Sequence, residues 1–128
     1  MAVPRDPAAP ELPAPLTGAD TPDAARRLRG ATDRLTDRTA TWTPARWASS
    51  CPGGGGARAD VVYALVQHLA DLAADAEGRP RREVPRLGHD VSLPDQLAVM
   101  ATDLLAAADD PGTLAEAAES VREVARRI

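Results

Sequence analysis

The chain has 128 residues, 44% of them hydrophobic, with 15 arginines, no lysine and a net charge of −4. That length fits one domain around a single core, and the one cysteine, Cys51, excludes an intramolecular disulfide scaffold. The acidic balance disfavours non-specific nucleic-acid binding, and no apolar run reaches the roughly 20 residues that span a bilayer, so neither nucleic acid nor membrane is an expected partner.

Residues 1–19 are expected to be a disordered tail, and 20–128 the folded domain. Pro4, Pro7, Pro10 and Pro13 recur every three residues, the period of a polyproline II helix, and make overlapping P-x-x-P units. Such a segment can dock on an aromatic groove or simply stay solvated. The prolines also interrupt any apolar signal-peptide core, and a cytoplasmic protein is expected.

A helix is expected over 22–41, with Thr21 as N-cap and Pro22 in its first turn. Ala24, Leu28, Ala31, Leu35 and Trp42 form its apolar stripe. Pro44 ends this helix or opens a short turn containing Trp47. Cys51-Pro52 and four glycines, Gly53 to Gly56, follow. The glycines read as a flexible hinge. Their second reading, a phosphate cradle, lacks the G-K-[ST] ending of a P-loop. Cys51, flanked by Arg46 and Arg58, is either a reactive thiol or an ordinary loop cysteine.

The second long helix is expected over 58–77. Val62, Leu65, Val66, Leu69, Leu72, Ala73 and Ala76 keep a 3.6-residue period, Gly78 suits a left-handed cap, and Pro80 blocks continuation. His68 lies on the flank of that stripe, with Asp71 and Asp75 following at i+3 and i+7. It reads as a metal ligand or general base oriented by a carboxylate, or as a boundary histidine. The only other histidine is His89, and metal sites need three or four ligands. Residues 79–91 form a loop with Arg79, Arg81, Arg82 and Arg86. These four are the candidate contacts for an anionic ligand or an acidic partner, unless Glu77, Glu83 and Asp90 neutralise a merely solvated loop.

Two more helices are expected over 93–108 and 113–127. Each is introduced by capping-box spacing, Ser92 with Asp95 and Thr113 with Glu116. Their stripes are Leu97, Met100, Ala101, Leu104, Ala108 and Leu114, Ala117, Ala118, Val121, Val124, Ala125, Ile128. Nothing alternates at period two. The expected fold is all-α, a four-helix bundle with a disordered Pro-rich N-terminal tail.

Residues Leu35 to Asp71 resemble the N-terminal part of the DinB and mycothiol-dependent maleylpyruvate isomerase-like superfamily. The features carrying the resemblance are Trp42, Trp47, Cys51-Pro52-Gly53, Asp60-Val61-Val62 and His68-Leu69-Ala70-Asp71. The resemblance implies a four-helix bundle that commonly binds a divalent metal through three histidines, sometimes with a thiol cofactor. Only His68 matches one of those ligands by position, and glycines replace the tryptophan that usually follows the Cys-Pro-Gly turn. The chain also resembles small alanine-rich actinobacterial proteins.

The residues point to a non-enzymatic bundle for protein interaction or ligand binding, without cofactor, using a protein partner or self-association. The alternative is a minimal DinB-like metal- or thiol-dependent enzyme centred on His68, with Cys51 nearby.

Overall fold

A computed structural model describes residues 20–128. The proline-periodic segment 1–19, with its expected disorder and docking role, lies outside the described residues. The chain forms α1 (Asp20–Thr39), a short α2 (Pro44–Ala48), α3 (Arg58–Glu77), a 3₁₀ turn (Asp90–Ser92), α4 (Leu93–Ala107) and α5 (Pro111–Arg127). The described residues are all-α, and the only bridge of extended type pairs Ser50 with Ala57.

The four long helices bury the stripes that the sequence marks. Leu28 and Leu35 of α1 meet Val62, Val66 and Leu69 of α3, Leu93, Leu97 and Leu104 of α4, and Leu114 and Val121 of α5 in one core. Trp47 of α2 plugs its end and is wholly buried. Each fully buried Leu or Val contributes about 1.5–3 kcal/mol relative to exposure. α1 packs most extensively on α5, and α3 on α4, while α3 and α5 meet less closely.

The helix directions are not those of a simple up-down bundle. Thr21 at the start of α1 donates to the Asp109 carbonyl (3.1 Å), and Arg38 near its end donates to the Ala125 carbonyl (2.7 Å). So α1 and α5 are parallel. Arg86 joins Asp60 at the start of α3 to Asp90 just before α4 (3.1 and 3.2 Å). So α3 and α4 are parallel too, and opposed to the first pair.

Parallel neighbours cannot be joined by a tight turn. Residues 79–89, within the loop expected over 79–91, therefore run back along α3 as a strap. α3 supplies the strap's polar partners. Gln67 accepts from the Val84 N–H (2.8 Å) through Oε1 and donates to the Arg82 carbonyl (2.9 Å) through Nε2. The Tyr63 hydroxyl donates to the Val84 carbonyl, and the Val84 side chain is buried.

Three expected caps differ. α1 already starts at Asp20, so Thr21 is inside it and caps nothing. Pro22 is tolerated because no N–H of the first turn has an intrahelical partner. Ser92 belongs to the 3₁₀ turn, with αR backbone and no side-chain cap bond, so its box with Asp95 does not form. α5 begins two residues earlier than expected. Asp110 is its N-cap, accepting from the Gly112 and Thr113 N–H groups (both 3.2 Å) and the Thr113 hydroxyl (2.9 Å). The helix 58–77 and its Gly78 cap, at φ 68°, agree with the sequence.

The Thr113 hydroxyl bond, then the backbone N–H bonds, hold the Asp110 carboxyl below its usual pKa. Its contribution is complete above the unfolded carboxyl pKa and fades as pH falls through the lowered one. Asp110→Ala is expected to lower the melting temperature at neutral pH. The gap from wild type closes as pH falls through and below the ordinary carboxyl range. Melts across that range check it. Gln67→Ala strips the strap of two partners and is expected to cost about 1–3 kcal/mol in urea unfolding.

Candidate functional site

A groove of about 590 Å³ lies where α3 and α5 part. Val61, Ala64 and Leu65 of α3 and Val124 of α5 give it apolar walls. Glu116, Glu119 and Glu123 line its α5 edge, and His68 its α3 edge, with Ser120 and Arg127 beside them. The spacing i, i+3, i+7 places the three glutamates on one flank of α5. That spacing is readable in the sequence, where Glu116 also has capping-box spacing from Thr113.

His68 is the expected residue that this groove contains. Its Nε2 lies 3.5 Å from Glu116 Oε2, so the carboxylate facing it comes from α5 and not from its own helix. Both expected neighbours are engaged elsewhere. Asp71 accepts from Gln67 (2.9 Å), and Asp75 accepts from Arg81 Nε and Nη2 (3.0 and 2.7 Å). The Arg81 hydrogen bond is the main reason the Asp75 carboxyl is held below its usual pKa.

Cys51 does not line the groove. It is 4% exposed, in the core beside the α2 end of the bundle, where a thiol acts as a small apolar side chain. The glycines after it, read as a hinge, close a loop. The Cys51 N–H donates to the Gly56 carbonyl and the Gly54 N–H to the Cys51 carbonyl (both 2.9 Å). Gly54, Gly55 and Gly56 have φ of 86°, 93° and 108°, which a residue with Cβ adopts only under strain.

Arg46 and Arg58 lie over the Trp42 ring instead of serving the thiol. Trp42 meets Trp47 edge-on at 4.9 Å between centroids, and Arg46 lies 4.6 Å above the Trp42 ring. Arg58 donates to the Ile128 carbonyl (3.0 Å), the Ser49 hydroxyl (2.6 Å) and the Ser50 carbonyl (2.7 Å). It ties the starts of α3 and the glycine loop to the end of α5.

The four strap arginines are not gathered into one cation site. Arg79 pairs with Glu77, Arg81 with Asp75, and Arg86 with Asp60 and Asp90 while stacking 4.9 Å above the Tyr63 ring. Arg82 alone has an unpaired guanidinium; its carbonyl carries the Gln67 bond. The metal centre implied by the family resemblance does not fit either. Among the described residues no three His, Cys, Asp or Glu side chains are grouped to hold an ion, and His89 sits exposed at the end of the strap. No described helix is long and apolar enough to cross a membrane. The chain matches no family model, no curated protein and no solved structure.

The two kinds of strap arginine separate by experiment. Arg86→Ala is expected to cost about 1 kcal/mol in urea unfolding, because a stacked, partly shielded cation is lost between two elements. Arg81→Ala, on the open surface, is expected to leave the midpoint nearly unchanged.

Proposed function

We propose that this bundle is a non-catalytic protein-interaction module, and that its α3–α5 groove receives the apolar face of a basic amphipathic helix from a partner. The observation that carries the reading is an apolar floor with glutamates along one edge. Glu116 to Arg127 covers twelve residues, about 16 Å of helix, room for about three turns of an incoming one. Val61, Leu65 and Val124 suit anchors at i, i+3 or i+4, and i+7 of that helix.

Charge favours a basic occupant. Arg126 alone answers both Glu119 (3.2 Å) and Glu123 (2.7 Å), and Glu116 faces only His68. Arg127 stands at the far end of the edge. Lysines or arginines on the partner's polar face would meet an edge with more negative than positive groups. Electrostatics of this kind govern orientation and association rate more than affinity.

A labelled Leu/Lys amphipathic helix, with a Leu/Glu helix as control, tests the reading by fluorescence anisotropy. The Leu/Lys peptide is expected to bind and the Leu/Glu peptide not. Ala64→Trp fills the floor and is expected to weaken binding at least tenfold, as is Glu116→Gln/Glu119→Gln/Glu123→Gln at low salt. Binding that survives both changes would end the proposal.

A further inference from the structure

On its other flank α5 forms a second groove, of about 500 Å³, with α1. Arg34 and Arg38 line it from α1, Arg122 and Arg126 from α5, over a floor that includes Leu35 and Ala125. Among the described residues no carboxylate lines this groove. Four cations share one small cleft in a chain whose net charge is −4.

Two of the four have structural work. Arg38 and Arg126 lie in the last turns of their helices, where the macrodipole favours a cation. Arg38 also donates to the Ala125 carbonyl (2.7 Å), one of the carbonyls that α5 leaves without an intrahelical partner. Arg126 is held by Glu119 and Glu123. Nothing comparable accounts for Arg34 and Arg122. Each sits further from its helix end than the final turn, beyond the range over which the dipole acts. Neither has an ion pair, hydrogen bond or ring contact among the described residues.

These two face the same groove at the same level. Because α1 and α5 are parallel, and Arg38 reaches Ala125, Arg34 one turn earlier stands beside Arg122. Both are mounted on rigid helices, so little backbone order is lost on binding. Two unanswered guanidiniums across a cleft repel each other, and a multivalent anion between them reverses that repulsion. Guanidinium forks match phosphate oxygens in pairs, and the cleft has the size of a small-molecule site rather than of a macromolecular interface.

We infer that Arg34 and Arg122 clamp the diphosphate group of a small molecule in the α1–α5 groove, with Arg38 and Arg126 at its rim. The inference is independent of the partner helix proposed for the α3–α5 groove. Diphosphate can come free or on a nucleoside, and Leu35 and Ala125 would lie beneath an organic portion.

The test is calorimetric titration of the full chain with inorganic pyrophosphate and with ADP at low salt. Saturable binding of pyrophosphate is expected, weakened at least tenfold by Arg34→Gln/Arg122→Gln. The control is Arg29→Gln/Arg82→Gln, which removes the same charge from two other exposed arginines and is expected to bind as wild type. Circular dichroism checks that both variants stay folded. Arg34→Lys/Arg122→Lys is expected to recover only part of the affinity, because a point charge lacks the fork. Tighter binding of ADP than of pyrophosphate would assign the nucleotide form, and equal binding the free anion. No binding by wild type, or equal loss in the Gln pair and its control, overturns the proposal.

Discussion

Gln67 holds the return strap by both ends of its amide, one to the Val84 N–H and one to the Arg82 carbonyl. The rest of the architecture depends on that attachment. Irregular backbone lacks the internal partners of a helix, and polar groups of the strap left buried without one would cost about 1–3 kcal/mol each. Because Gln67 and Tyr63 answer them, the chain can travel back along α3 and start α4 in the same direction. With α3 committed to the strap and α4, its remaining side meets α5 only loosely. The α3–α5 groove is the result.

Arginine does most of the polar joining in this lysine-free chain. Arg58 gathers three oxygens from two segments, Arg38 reaches a helix-end carbonyl, and Arg86 spans two carboxylates over a ring. A planar fork can do this where an ammonium cannot. The same economy makes α5 a ridge between two unlike grooves. Arg126 lines the basic one, while its guanidinium holds Glu119 and Glu123, which line the acidic-edged one. A ligand that draws on Arg126 from one side would change the charge presented on the other.

Helix content and the core were legible in the sequence because periodic stripes of Leu, Val and Ala have one low-energy arrangement. The 58–77 helix needed only its own period and Gly78. Caps at Thr21, Ser92 and Thr113 were misread because several hydroxyl and carboxyl residues compete at each start. Asp110-Pro111 prevails over Thr113 since it places a carboxylate and a proline together at the N-terminus. Helix direction left little trace beyond the length of the 79–89 segment. The site was hidden for a related reason. Arg79 to Arg86 are neighbours in sequence and separate in space, whereas Arg34 with Arg122, and His68 with Glu116, meet only once α5 is docked.

The pairing of α1 with α5 also bears on how the chain acquires its shape. The most extensive helix contact joins segments about ninety positions apart, with three other helices and the strap between them. Long-range closures of this kind slow folding relative to bundles stitched by neighbouring helices. On a ribosome, α3, the strap and α4 are synthesised before α5, and α1 has only its smaller contact with α4 until its main partner arrives. During that interval the part of the α1 stripe that α5 will cover stays open, a target for chaperones or for a second nascent copy. Within α1 the apolar part of that stripe is alanine and leucine, Ala24, Leu28, Ala31 and Leu35, which limits its stickiness through the wait.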